Sequence, residues 1–398
     1  MTDILIEGGQ TLIGNGFVDD ATIHVADGLI SETSSRAEPA PLRIDSRGLI
    51  ALPGIVDMHG DAFERQMMPR PGVDFPIDVA LMDSDRQAIA NGMTTVFHAA
   101  TWSWEPGLRG TENAHRLADA IEDLRPRFAA DTRFHLRQET FNLDAEPMIA
   151  EWLTTGRVSL LAFNDHMHMT AASMSNPKKR ARMVERSGLS ESEFDALVDR
   201  VMTRADDVPQ SIERLAAIAR DHDVPLLSHD DASPEQRADF RSLGIDIAEF
   251  PINEETARAA IDGGDFTVFG APNVVRGGSH TGWTSAAEMV NKGLCSILAS
   301  DYYYPAPLLA AFRLAADRIV PLPQAWSLVS GAPAAATGLH DRGEIAPGKR
   351  ADIILVDAQE ALRPRVVAVI AGGHLAYLTE PQRMTTTTTA AVRKVELA

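Results

Sequence analysis

The sequence predicts an α/β fold: a (β/α)8 barrel carrying a small β-sandwich built from both chain ends. Three observations predict it. Eight short apolar runs alternate with helix-like segments through the middle of the chain, and both ends read as broken β structure. No glycine-rich dinucleotide loop follows the first central strand, as an open doubly wound sheet would usually require.

In order, Ile4–Ile6, Thr22–Val25 and Leu29–Ile30 are apolar or β-branched and are interrupted by Gly8–Gly9, Asn15–Gly16 and Asp27–Gly28. The central strand candidates are Ile55–His59, Thr94–His98, Phe134–Glu139, Ser159–Asn164, Pro225–His229, Asp246–Phe250, Phe266–Gly270 and Cys295–Asp301. Between them, segments such as Arg109–Ala129, Glu191–Arg204, Gln210–Asp221 and Glu235–Leu243 show helical apolar spacing. Ala351–Val356, Val366–Ala371 and His374–Leu378 are again β-like, with Gly372–Gly373 fitting a hairpin turn. Each β-rich end is too small to fold alone, so the two are expected to pair. The expected division is residues 1–52 and 344–380 in the sandwich, 53–343 in the barrel, and a loosely held tail from 381 to 398.

Composition narrows the function. The 398 residues hold 37 Lys+Arg against 56 Asp+Glu, a net charge of −19, which argues against a general nucleic-acid or anionic-membrane binder. No apolar run approaches the roughly 18 residues of a membrane span. The first residues lack a basic, apolar leader, and the single cysteine, Cys295, permits no intrachain disulfide. The expectation is a cytoplasmic enzyme acting on a small molecule, as a monomer or a homodimer.

Candidate chemistry collects where the strands end, the face on which barrel enzymes carry their active sites. Those ends offer His59-Gly60-Asp61, His98, Glu139, Asp165-His166, His229-Asp230-Asp231, Glu249 and Ser300-Asp301. A lone histidine at a strand end is more often structural. Several together with carboxylates suit Zn²⁺, Mn²⁺ or Fe²⁺. His59 and Asp61 are two residues apart on a strand, so both side chains reach one side. His229 closes Val-Pro-Leu-Leu-Ser-His. Asp301 ends an apolar run, where the bland alternative is an N-cap for a helix over Pro305–Asp317.

Leu52-Pro53-Gly54-Ile55-Val56-Asp57-Met58-His59-x-Asp61 and Ala-Pro-Gly-Lys-Arg-Ala-Asp-Ile at 346–353 resemble the amidohydrolase superfamily. The blocks Pro69–Pro76, His135-Leu136-Arg137-x-Glu139, Asp165-His166, Ser228–Ala232, Ala248–Pro251, Gly270–His280 and Ser300–Tyr303 are similar to its diphosphatases of phosphonate catabolism. That resemblance implies one or two divalent ions, zinc foremost, and a substrate with a 5-triphosphate on a phosphonate-linked ribose. It implies the ligand set His59, Asp61, Glu139, His166, His229 and Asp301, with His168 competing with His166. Many superfamily members bridge two metals with a carboxylated lysine. No lysine precedes Lys178 here, and Glu139 stands as the bridging carboxylate instead. Asp301 would serve as general base for attack at the α-phosphorus, releasing pyrophosphate.

The anionic substrate needs local positive charge. Arg276, Gly277, Gly278, Ser279 and His280 suit a phosphate nest, though a glycine-rich loop is the plainer reading. Arg70, Lys178 and Lys179 are further candidates, against the alternative of a solvated surface. Three mouth blocks differ from the resembled branch: Gly60-Asp61-Ala62, Met167-His168-Met169-Thr170 and Gly282-Trp283-Thr284. A metal-dependent C–N hydrolase, with Trp102, Trp104, Trp283 and Met167–Met169 lining a ring pocket, and a non-catalytic scaffold remain the alternatives.

Overall fold

A computed structural model of the chain describes residues 2–34, 40–70, 72–278 and 284–386. The N-terminal strands are β1 Ile4–Ile13, β2 Gly16–Ala26, β3 Leu29–Ser34, β4 Leu42–Asp45 and β5 Ile50–Pro53. The next eight are β6 Ile55–Gly60, β7 Met93–Trp102, β8 Asp131–Glu139, β9 Leu160–Asn164, β10 Leu226–His229, β11 Ile247–Glu249, β12 Phe266–Gly270 and β13 Ile297–Ala299. The last are β14 Ile353–Asp357, β15 Arg365–Ala371, β16 His374–Leu378 and β17 Met384–Thr386.

β6 to β13 pair in sequence order as one parallel sheet, and a parallel bridge between Gly60 and Asp301 closes it between first and last strands. All eight expected barrel strands are present. β6 and β7 are buried along their whole length, because helices cover the outside of a parallel barrel while side chains fill the inside. The helix Thr111–Leu124 shows how the outer layer docks: Ala114, Leu117, Ala118, Ile121 and Leu124 recur at helical spacing and are buried. The helix Glu191–Met202 opens with a capping box, Ser190 and Glu193 each closing the other's backbone N–H.

The two chain ends meet in a single nine-stranded sheet, mostly antiparallel. β1 changes partner along its length: Ile4–Glu7 runs beside β4, while Gln10 and Thr11 pair with β5. β5 then pairs antiparallel with β14, Leu52 opposite Ile354, which joins the N- and C-terminal parts. Ile4, Ile6, Ile23, Ile44, Ile353, Leu355 and Ile370 share one core cluster. Gly372 and Gly373 both have positive φ, as the tight turn between β15 and β16 demands. β17 departs from the expected loose tail: Met384–Thr386 pairs with β4, so chain beyond residue 380 is held in the sheet. Residues 387–398 of that tail lie outside the described residues. Trp326 ties sheet to barrel, its Nε1 donating to the Pro53 carbonyl at 3.0 Å. Among the described residues no helix is long and apolar enough to cross a membrane.

Candidate metal centre

The six candidate ligands come from the C-terminal ends of five barrel strands. β6 delivers His59 and, one residue past its end, Asp61. β8 delivers Glu139, β9 leads to His166, β10 ends on His229, and Asp301 follows β13. Barrel closure brings the first and last of these together: the Asp301 N–H donates to the His59 carbonyl at 2.9 Å, and the Asp61 N–H to the Asp301 carbonyl at 3.0 Å.

The ligand atoms of His59, Asp61 and Asp301 lie within 4.8 Å of one another, and those of His166, His229 and Asp230 form a second such group. Asp301 has φ +53°, Asp230 +59° and Phe250 +55°, a left-handed conformation uncommon for such residues, at the ends of three strands of one pocket. The helix Ala306–Ala316 takes Pro305 at its N-cap with no side-chain cap, so the N-cap alternative for Asp301 does not hold.

Glu249, at the end of β11, is fully buried and organises the histidines. Its Oε1 accepts from His59 Nδ1 at 2.6 Å and its Oε2 from His229 Nδ1 at 2.7 Å. Both imidazoles therefore donate from Nδ1, the arrangement by which a carboxylate orients metal-binding histidines. Burial opposes the charge on Glu249, yet the two imidazoles hold its carboxyl well below the usual range. Phe250 packs edge-on against both rings, at 5.1 and 5.4 Å between centroids.

His166 precedes the helix Met167–Ser173. Its Nδ1 donates to Glu139 Oε1 at 2.5 Å and its backbone N–H to Oε2 at 3.2 Å. Burial alone would lower its pKa, but Asp230, 3.8 Å away, and Glu139 raise it to about 9. His168, two residues on, is two-thirds exposed, lies against Phe141 and is 3.4 Å from Asp165. Of the competing pair, His166 is the one that meets the other candidates. His98 joins none of these groups: it packs against Phe63, and burial lowers its pKa to about 4.

Residues outside the sequence-derived set complete the centre. Arg137, two residues before Glu139 on β8, is buried; its Nη2 donates to His229 Nε2 at 3.2 Å and its Nη1 lies 3.8 Å from Asp61 Oδ2. In the amide orientation that satisfies its neighbours, Asn164 Oδ1 accepts from Arg137 Nε and Nη2 at 3.3 and 3.2 Å. His135, beneath them, donates Nδ1–H to the Met58 carbonyl at 3.0 Å and sits edge-on to His59. The signal for these residues was alternation: His135, Arg137 and Glu139 share one face of β8.

A cavity of 250 Å³ opens over the centre, lined by His59, Asp61, Arg137, His229, Asp301 and Tyr302, among others. Arg276 Nη1 donates to the Tyr302 hydroxyl at 3.3 Å, and the Arg65 guanidinium stands 5.7 Å from the Tyr302 ring, so two cations flank its rim. Gly277 and Gly278 follow Arg276 with positive φ; Ser279, His280 and Trp283 lie outside the described residues. A larger cleft of 1480 Å³ is lined by Arg70 and Trp104 among others, but by none of the convergent ligands. The convergent imidazoles and carboxylates line the smaller cavity. Lys178 and Lys179 are exposed at the start of the helix Pro177–Ser187 and line neither space. Trp102 and Met167 are buried in core clusters, which removes them from any ring-binding wall.

Residues 75–377 match the amidohydrolase family. The chain is 35% identical over 363 residues to α-D-ribose 1-methylphosphonate 5-triphosphate diphosphatase of Escherichia coli, covering 89% of this chain and 96% of that one. It is 26% identical over 386 residues to an adenine deaminase of Methylobacterium nodulans, covering 93% of this chain and 58% of that protein. Among solved structures, molinate hydrolase superposes with a TM-score of 0.65 at 17% identity, over 100% of this chain and 99% of that one. N-isopropylammelide isopropylaminohydrolase from Burkholderia multivorans gives 0.61 at 20%, over 94% and 98%. The family match over three quarters of the length, with the barrel and its histidine–carboxylate mouth, settles the assignment: this chain belongs to the amidohydrolase family.

Proposed function

We propose that the protein is a metal-dependent phosphoanhydride hydrolase that converts α-D-ribose 1-methylphosphonate 5-triphosphate, or a close analogue, to the 5-phosphate and pyrophosphate. The observation that carries this reading is the 35% identity to the Escherichia coli diphosphatase over nearly the whole of both chains. The donor chemistry supports the metal. Imidazole Nε2 and carboxylate oxygens converge, and Glu249 fixes the tautomer that leaves Nε2 of His59 able to bind. His59, Asp61 and Asp301 would hold one ion, and Glu139, His166 and His229 belong to the surroundings in which a second would sit.

When bound, a divalent ion supplies Lewis acidity and favours ionisation of a nearby water. The chain's own groups do the rest. Asp301, held at the pocket by barrel closure, orients the attacking water and takes its proton on the carboxylate. Arg137 offers N–H donors to a phosphoryl oxygen that gains charge, and Arg276 and Arg65 counter the remaining phosphates at the rim. The enzyme would meet its anionic substrate through this local positive charge, against a net charge of −19.

The test is ³¹P NMR of zinc- or manganese-loaded protein with that triphosphate. Release of pyrophosphate, abolished by chelation, is expected. An unchanged spectrum from protein of proven metal content would overturn the substrate and turn the search to C–N bonds, the chemistry in the name of the adenine deaminase relative.

A further inference from the structure

Two groups of ligand atoms face each other across the barrel mouth: His59, Asp61 and Asp301 on one side, and His166, His229 and Asp230 on the other. A buried guanidinium stands between them. Arg137 contributes Nη1 toward Asp61 at 3.8 Å and donates from Nη2 to His229 Nε2 at 3.2 Å. It is anchored from behind by the Asn164 amide oxygen and is only 6% exposed. The same residue exerts its charge on Glu139, His166 and Asp230, the groups around the second position.

The His229 contact decides what this means. Glu249 accepts the Nδ1 proton of that ring, so Nε2 is its single remaining lone pair, and Arg137 donates to it. A lone pair engaged by a guanidinium cannot also bind an ion at the roughly 2.0–2.1 Å of a metal–imidazole bond. Glu139 accepts from His166 on both oxygens and keeps one lone pair on each, so His229 is the ligand whose donor atom is taken. The first group differs: Glu249 occupies only His59 Nδ1, leaving Nε2 beside Asp61 and Asp301.

We propose that Arg137 is the second cation of this centre. Its guanidinium takes the position beside His166, His229 and Asp230 that would otherwise accept a second metal, and the chain holds one divalent ion, at His59, Asp61 and Asp301. This rests on the metal-hydrolase reading above. The consequence is chemical as well as numerical. A planar guanidinium donates directed hydrogen bonds to phosphoryl oxygens and keeps its charge at any working pH, whereas a second ion would exchange and titrate with its ligands.

The experiment counts ions without using turnover. Metal-free protein is titrated with Mn²⁺, desalted and analysed by elemental mass spectrometry, and the loaded sample is examined by electron paramagnetic resonance. The expected result is one Mn²⁺ per chain with the six-line spectrum of an isolated ion. Two ions per chain with an exchange-coupled spectrum would overturn the proposal while leaving the metal hydrolase intact. No bound ion would overturn both. Arg137→Met is expected to take up a second ion per chain, because His229 Nε2 is released. A folded Arg137→Met that still holds one ion would show that the guanidinium is not what excludes the second. Should that variant not fold, the wild-type count stands as the test by itself.

Discussion

Replacing Glu249 by glutamine tests the histidine clamp with no change in volume. The wild-type carboxylate accepts two N–H groups, from His59 at 2.6 Å and from His229 at 2.7 Å, with no exposed surface. Glutamine has one acceptor oxygen and one NH₂. It can satisfy one ring as before, but against the other it presents a donor, and that ring must move its proton from Nδ1 to Nε2. If the ring is His59, the nitrogen facing Asp61 and Asp301 is capped by a hydrogen. If it is His229, two donors meet at Arg137. Loss of one buried, charge-assisted hydrogen bond costs about 1.5–3 kcal/mol of stability. Loss of such an orienting carboxylate costs about 10–100-fold in metal affinity, or ~1.4–2.7 kcal/mol. Chelator competition with Zn²⁺ measures the second and urea unfolding the first. A variant of wild-type stability whose affinity stays within about twofold of wild type would refute the clamp.

Asp301→Asn is expected to keep the fold, since asparagine tolerates the left-handed backbone at this position, and to lose about 10²-fold or more in turnover. Retention of more than about a tenth of the rate would remove Asp301 as the base. Gly60→Thr introduces a Cβ 2.7 Å from Asp57 Oδ2 and 2.9 Å from Ser300 Oγ, and should cost about 1–3 kcal/mol in thermal unfolding. A melting temperature equal to wild type would show that the barrel seam yields freely. Cys295 is buried, and that burial pushes its thiol far above the ordinary range, so a disulfide reagent should label it only after unfolding. Rapid labelling of native protein would contradict the packing of β13.

Much of the architecture was legible because the relevant signals are local. Each barrel strand is a short apolar run bounded by turn residues, and His59, Glu139, His229 and Asp301 stand at or just past such ends. The strand Phe266–Gly270 appears with the bounds its sequence suggests, while β7 extends from Thr94–His98 to Met93–Trp102. That extension pairs Thr101 and Trp102 with β8, a contact that no run of residues within β7 announces. The strand Met384–Thr386 was illegible for the same reason. It lies in what the sequence suggests is a loosely held tail, and only the edge of β4 makes it a strand.

The candidate site divides along the same line. His59, Asp61, His229 and Asp301 were visible as residue types at strand ends. Glu249 was visible at its strand end too, but a carboxylate there looks the same whether it would touch a metal or hold two imidazoles. The answer depends on the spacing between β6, β10 and β11. Alternation put Arg137 on the Glu139 face of β8, but its partners His229 and Asp61 come from β10 and β6, and only closure of the barrel brings them to it.

The sequence by itself determined the alternation of strands and helices, the return of the chain to its first sheet, and the imidazole and carboxylate chemistry of the mouth. Tertiary structure alone decided which nitrogen of His59 faces Asp61 and Asp301, that His166 rather than His168 faces the centre, and that a guanidinium stands among the ligands. Those are distances between strands that are remote in sequence. Asp57 and Ser300 are 243 residues apart, yet they share two hydrogen bonds at the barrel seam. Periodicity specifies which face a side chain takes. Closure of the barrel specifies what it meets there.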